Sequence, residues 1–307
     1  MAKVLITGGT GFFGKSMLDY RLRHPTMFAE DWTILSRNPA RFLAENPQFA
    51  RLDGVEFVAG DVRDFDLPGR RFDAVIHAAT PAVTTLNDEE MTSIVIDGTR
   101  HALEIAKRCG ARKFMLTSSG AVYGPRTEAA NEEAPCNPIT AYGKGKLLAE
   151  RMCRESGLHV LLPRCFAFVG KYLNRSIHYA IGNFIQHCLD GEDIVIRGDG
   201  TPLRSYLYAD DLVEWLWAIL EHGESGRPYN VGSDAAISIR DLAILVRDAL
   251  GSKSAIRILG EPVPGAADYY VPNVDRARLE LGLSLKTGLR EAVLKSAVCL
   301  QSVESAF

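Results

Sequence analysis

A glycine-rich turn, Gly8-Gly9-Thr10-Gly11-Phe12-Phe13-Gly14, stands between a short apolar run and the start of a helical pattern. The run Lys3-Val4-Leu5-Ile6-Thr7 reads as a strand buried in a parallel sheet, because it is brief, apolar and stopped by glycines. A helix is predicted over residues 13–23. Strand, tight turn and helix in that order commit the chain to a parallel sheet with helical crossovers.

The alternation continues downstream. Strands are predicted at residues 32–35, 55–58, 74–77, 113–117 and 158–162. Pro39 opens a helix at its first turn, apolar positions recur at helical spacing over 91–109, and a helix bearing Tyr142 runs to about residue 155 before Gly157. This pattern predicts an α/β fold, a Rossmann doubly wound parallel sheet with a smaller C-terminal substrate-binding lobe. Beyond Arg164 the pattern loosens into a helix at 181–189 and turns at Gly198-Asp199-Gly200-Thr201-Pro202 and Glu261-Pro262-Val263-Pro264-Gly265. Residues 1–165 are therefore assigned to a dinucleotide-binding domain, with returning elements at about 206–235. These include a helix at 210–221 and Tyr229-Asn230-Val231. Residues 166–307 form a discontinuous substrate lobe.

Composition narrows the classes. The 307 residues are 47% hydrophobic and 24% charged, which excludes disordered and fibrous chains. A net charge of −3 gives no reason to expect nucleic acid or an anionic membrane as partner. The six cysteines (Cys109, Cys136, Cys153, Cys165, Cys188, Cys299) have no paired spacing, so reduced thiols are expected rather than a disulfide framework or a metal site. Met1-Ala2-Lys3 leads straight into a strand, with no apolar run of spanning length, and the cytoplasm is the expected compartment.

Gly8, Gly11, Phe12, Phe13 and Gly14 can cradle a dinucleotide pyrophosphate, since backbone must approach it closely and a helix N-terminus supplies N–H groups. At the end of the second strand, Ser36-Arg37-Asn38 replaces the acid that would bind an adenosine ribose diol. A guanidinium forks onto a 2′-phosphate, so NADP(H) is favoured over NAD(H). The alternative is that Arg37 stacks on adenine or caps the next helix. Asp61 and Val62 are candidates for the adenine edge, and Ala78, Ala79 and Thr80 for a wall lying against the cofactor. His77 reads as a core histidine.

Tyr142 and Lys146 are four apart on a predicted helix and share a face. A phenol with a pKa of about 10 is a poor base until a neighbouring ammonium lowers it. Thr117-Ser118-Ser119 ends a strand, where Ser119 can donate to a reacting oxygen. Together these predict hydride exchange with an alcohol or ketone.

At this point the chain resembles the extended short-chain dehydrogenase/reductase family, in its nucleotide-sugar epimerase/dehydratase/reductase branch. Later landmarks carry the likeness: Leu162-Pro163-Arg164, Gly198-Asp199-Gly200, Arg204-Ser205-Tyr206-Leu207-Tyr208-Ala209-Asp210-Asp211-Leu212 and Tyr229-Asn230-Val231-Gly232. The resemblance implies that Arg204 meets a nucleotide diphosphate, with Asn183 and Tyr179 nearby and Arg276 a weaker candidate. It also implies a homodimer built from the helix at 94–109 and the helix bearing Tyr142.

Within the family, 4,6-dehydratases carry Asp and Glu in the two positions after the catalytic hydroxyl, and decarboxylases also keep an acid. Here those positions are Gly120 and Ala121, which can neither give nor take a proton. The cysteine of the GDP-fucose synthase type is missing too, although His178 or Tyr179 could stand near its partner's position. Two reactions need only the remaining residues. One is NADPH-dependent reduction of a 4-keto-6-deoxy sugar nucleotide, which the Ser36-Arg37 turn favours. The other is NAD-dependent 4-epimerisation. A non-catalytic cofactor sensor is disfavoured by the retained Tyr–Lys pair. Asp97 stands where the family commonly has Asn, and is expected to be protonated, paired with a cation or without consequence.

Overall fold

The computed structural model describes residues 2–80, 86–175, 179–261 and 268–297. His178, Cys299 and the Pro262–Gly265 part of one predicted turn lie outside the described residues. The chain divides into two compact units. The first comprises Met1–Gly124, Pro135–Cys165 and Val213–Tyr229. The second comprises Pro125–Ala134, Phe166–Leu212 and Asn230–Phe307.

The principal sheet uses β1 (Lys3–Thr7), β2 (Asp31–Ser36), β3 (Val55–Ala59), β4 (Ala74–His77), β5 (Lys113–Leu116), β6 (Ser118–Ser119) and β7 (His159–Cys165), with Pro228–Val231 at one edge. From that edge the order is β7, β5, β4, β1, β2, β3, with β6 paired to β7. The pairs from β3 through to β7 are parallel. The order turns around between β1 and β4, and the strand ends at such a reversal open a crevice suited to a ligand. Val4, Leu5, Ile6, Val75, Ile76, Phe114 and Leu116 are buried, which is why these strands are apolar without alternation.

Among the helices covering the sheet are α1 (Phe12–Arg23), α2 (Pro39–Glu45), α3 (Asp88–Arg108) and α4 (Ala141–Arg154). Asn38, not Arg37, caps α2, its side chain accepting from Arg41 N. Asn87 and Glu90 form a capping box that starts α3 three residues before the apolar periodicity shows. Thr140 caps α4 by accepting from Gly143 N. Val95, Ala102, Leu103 and Ala106 of α3 pack with Ala149 and Cys153 of α4 on one face of the sheet.

The strand predicted over 113–117 is interrupted. β5 stops at Leu116 because the Thr117 carbonyl is taken by the Lys146 side chain, and pairing resumes at Ser118–Ser119. In the second unit, Val169, Ile181, Phe184, Ile185, Leu242, Val246 and Val293 form a separate core. The helix there, Ala180–Asp190, ends at Gly191, whose φ of 71° is the left-handed cap that glycine supplies. No helix among the described residues is long and apolar enough to cross a membrane.

Candidate active site

The turn after β1 is shaped by the protein's own backbone and is open at one position. Gly8 has φ of 75°, and a Cβ there would lie 2.4 Å from the Ala78 carbonyl oxygen. A Cβ at Gly9 would meet Ile34 at 2.4 Å, and one at Gly14 would meet the Gly9 backbone at 2.1 Å. A Cβ at Gly11 touches only the Gly8 carbonyl oxygen, at an ordinary 3.4 Å. Packing therefore accounts for three of the glycines, while Gly11 borders open space at the N-terminus of α1. That helix carries no acid in its first turn and no side-chain cap, leaving its N–H groups and positive dipole end for an anion. Phe12 and Phe13 flank it edge to face, 5.9 Å between ring centroids. The cradle fits a dinucleotide pyrophosphate.

At the end of β2, the Ser36 hydroxyl accepts from Asn38 N at 3.3 Å. Among the described residues the exposed Arg37 guanidinium has no hydrogen-bonded or ion-paired partner, although its charge reaches Asp61. The Asp61 carboxylate is already engaged by Arg63, through the backbone N (3.1 Å), Nε (2.9 Å) and a terminal nitrogen (3.4 Å). Those hydrogen bonds hold Asp61 below the usual carboxylate range. Val62 is partly buried and leans towards Gly98 of α3, where a Cβ would come within 3.0 Å of it. Ala78 continues the β1–β4 pairing by donating its N–H to the Thr7 carbonyl, and Ala79 lies against Gly8.

His77 is a satisfied core residue. Its Nδ1 lies 2.7 Å from the Thr7 hydroxyl and its Nε2 3.2 Å from that of Thr99. Burial, helped by the Lys146 charge, drives its pKa down to about 3, so the ring stays neutral.

Lys146 is 1% exposed. Its Nζ donates to the Thr80 hydroxyl and to the Thr117 carbonyl, both at 2.8 Å, and lies 5.9 Å from the centre of the Tyr142 ring. Burial pushes its pKa down to about 8. Ser119 is also buried, and its Oγ accepts from Ala121 N at 3.1 Å. The turn after Ser119 abuts the first turn of α4, since a Cβ on Gly143 would lie 2.7 Å from the Ala121 carbonyl oxygen. Ser119 and Tyr142 are thus carried on segments in direct backbone contact. Thr117 donates its hydroxyl to the His77 carbonyl at 3.3 Å.

Behind these residues lies a buried ionic cluster that sequence reasoning missed. Glu150 accepts from Ser118 Oγ (2.6 Å), Arg164 (3.0 and 2.9 Å) and Arg154 (3.2 Å). Arg164 also donates to the Tyr123 hydroxyl at 3.0 Å. Burial would raise the Glu150 pKa, but the Arg164 hydrogen bonds and charge prevail and hold it below the ordinary range. The available signal was Glu150 itself, a charge at i+4 from Lys146 on the apolar face of a helix.

Asp97 is paired with a cation and ionised: Ser93 donates to it at 2.8 Å and Arg100 at 2.5 Å, and both hydrogen bonds lower its pKa.

The second unit holds Tyr179, Asn183, Arg204 and Arg276. Tyr179 precedes the helix Ala180–Asp190, and its carbonyl accepts from Asn183 N at 3.1 Å, so the two share one turn. Arg204 pairs with Asp268 at 2.6 Å and also donates to the Asp268 carbonyl. Arg276 is ringed by Glu132, Glu133 and Glu280, which makes it a poorer candidate for an anion than Arg204. Two landmark acids and amides are structural. Asp211 accepts from the backbone of Lys286 and Thr287, and buried Asn230 donates to the carbonyls of Ala130 and Asn273.

A doubly wound sheet with a glycine cradle at its reversal point, and Ser119, Tyr142 and Lys146 on adjoining segments, are the features of a dinucleotide-dependent enzyme of the short-chain type. The sequence profile of the NAD dependent epimerase/dehydratase family matches residues 4–232, and the chain belongs to that family. UDP-glucuronic acid decarboxylase 1 of Xenopus tropicalis is 30% identical, over 96% of this chain and 71% of its own. UDP-glucuronic acid 4-epimerase of Bacillus cereus, solved with UDP-glucuronic acid and NAD, superposes with a TM-score of 0.84 at 23% identity, covering 98% of this chain and 99% of that one. dTDP-glucose 4,6-dehydratase of Bacillus anthracis, solved with NAD, gives 0.85 at 21% identity, with 99% and 98% covered.

Proposed function

We propose that the protein reduces a 4-keto-6-deoxy sugar nucleotide at C4, using NADPH. The observation that carries the reading is the make-up of the catalytic wall. It offers a hydroxyl at Ser119, a phenol at Tyr142 and an amine at Lys146, and nothing that titrates at Gly120 or Ala121. Elimination of water or loss of a carboxylate would be expected to use an acid there. This counts against the decarboxylase activity of the relatives, despite similarity along the whole chain.

In this reading Ser119 donates to the keto oxygen, Tyr142 delivers the proton to it, and Lys146 supports the phenolate that results and orients the nicotinamide ribose. When bound, the nicotinamide supplies the hydride. Gly8, Gly11, Phe12, Phe13 and Gly14 take the pyrophosphate, Asp61 and Val62 the adenine, and Ala78, Ala79, Thr80 and Thr117 line the nicotinamide half. Arg37, with Ser36 beside it, takes the 2′-phosphate. Its uncommitted guanidinium supports NADPH over the NAD bound by the structural neighbours. Arg204, with Tyr179 and Asn183, receives the nucleotide diphosphate and sugar. Residues 1–165 with the returning elements serve the cofactor and 166–307 the substrate. The functional form is a cytoplasmic homodimer joined through α3 and α4.

Incubating the protein with NADPH and a panel of 4-keto-6-deoxy sugar nucleotides tests the reading by loss of reduced cofactor. A second reading, NAD-dependent 4-epimerisation, needs the same three residues and matches the cofactor in the family's description. No oxidation of NADPH with any keto sugar, together with interconversion of UDP-hexoses, would establish it instead.

A further inference from the structure

We propose that Glu150 and Ser118 act as a positioning pair, fixing the short strand that carries Ser119 against the helix that carries Tyr142 and Lys146. The inference rests on the catalytic assignment of Ser119, Tyr142 and Lys146 given above. Thr117 and Ser118 are consecutive, and both are tied to α4. Lys146 holds the Thr117 carbonyl at 2.8 Å, and Glu150, one turn further along, accepts from the Ser118 hydroxyl at 2.6 Å. Ser118 and Ser119 form one two-residue strand, so holding the Ser118 side chain on Glu150 fixes the backbone from which Ser119 projects. Arg164, on the strand β7 that pairs with β6, grips both carboxylate oxygens from the far side.

Stability alone is a poor reason for such a cluster. Ser118, Glu150 and Arg164 are 2%, 0% and 4% exposed, and a buried ion pair seldom outperforms apolar side chains of the same volume. What the cluster provides is direction. A carboxylate with its partners spoken for admits one orientation of Ser118, and catalytic groups misplaced by about 1 Å can lose about 100-fold in rate.

Glu150 has a second, electrostatic effect on the same site. Lys146 faces Tyr142, Glu150 and Cys153 on its own helix, Cys165 on β7 and neutral His77 on β4. Glu150 is the ionised carboxylate in that set, and its charge favours the ammonium against the burial that brings Lys146 down to about 8.

The test compares Ser118→Ala, Glu150→Gln and Tyr142→Phe in the full chain. Ser118→Ala keeps every charge, so it is expected to lower kcat about 10- to 100-fold at all pH values, with cofactor affinity unchanged. Glu150→Gln is expected to lower kcat similarly. It should also move to lower pH the point at which NADPH or NADH binding, read by nicotinamide fluorescence, weakens as Lys146 loses its proton. That second readout needs no sugar substrate. Wild-type kcat and binding profile in both variants, with only a lower Tm, would overturn the proposal. If Glu150→Gln does not fold, wild-type kcat in Ser118→Ala overturns it alone. Undiminished turnover in Tyr142→Phe would instead remove the catalytic assignment, a separate outcome.

Discussion

The first unit contains two groups of opposed charges in contrasting settings. Lys146, Glu150 and Arg164 lie within the packing of α4 against the sheet, each at most 4% exposed, and each has its hydrogen bonds fixed by several elements. Arg37, Asp61 and Arg63 sit at the ends of β2 and β3 in contact with water, with side-chain exposure of 46% for Arg63 and 28% for Asp61. In the first group a change of partner must disturb the fold, because a charge left alone in a low-dielectric interior is costly. In the second, charges can be exchanged at little cost to folding. On the proposed reading, the reaction geometry is held rigidly and the choice of cofactor is left adjustable.

The contrast can be broken first at its chemical end. Tyr142→Phe is expected to reduce turnover by a factor of about 10² to 10⁴, the usual worth of a positioned acid–base group, with Tm nearly unchanged. Steady-state kinetics with the proposed keto sugar substrate checks this, and retention of a tenth of the activity (about tenfold loss) would refute it. Arg164→Met should follow, at about 3–5 kcal/mol of stability, because it removes the buried cation from the Glu150 carboxylate and leaves it only Ser118 and the partly exposed Arg154. Urea unfolding would show it as a lower midpoint. A loss under about 1 kcal/mol would mean that the interior behaves like the surface.

The next effect depends on pH. His77 is held neutral down to about 3, while the unfolded chain takes up the proton near 6.5. The unfolded state then binds more protons, so stability falls as pH drops through this window, by at most about 1.4 kcal/mol per unit. His77→Gln should flatten the slope, and an unchanged slope would assign it to other groups. At the exposed end, Arg37→Ala is expected to shift the ratio of kcat/KM for NADPH over NADH by about tenfold or more towards NADH, since a charge-assisted hydrogen bond is worth about 1.5–3 kcal/mol. The smallest change belongs to Arg63→Ala, less than about 1 kcal/mol of stability for a solvent-exposed pair. A larger loss there would erase the distinction between the two groups.

The same contrast governs what could be read without coordinates. The parallel sheet and its main helices were legible because buried strands must be continuously apolar and glycines punctuate them. The turn at Gly8, the shared helix of Tyr142 and Lys146, and the core role of His77 followed from residue type and spacing. What escaped depends on partners distant in the chain. That Thr80 hydrogen-bonds Lys146, 66 residues away, has no local signature. The Glu150–Arg164 pair joins a helix to a strand and could be suspected only from a lone acid on an apolar face. The ends of elements were displaced where a side chain replaced backbone pairing, as at Thr117. Arg204 carried a recognisable motif, but motif alone did not disclose its pairing with Asp268.

The glycine cradle has an evolutionary corollary. Gly8, Gly9 and Gly14 are demanded by the protein's own atoms, so any descendant retaining this architecture must preserve them, ligand or no ligand. Gly11 is under no such obligation. In a lineage that had abandoned the dinucleotide, that single position would be at liberty to drift, and its identity in related sequences would separate working enzymes from inherited scaffolds.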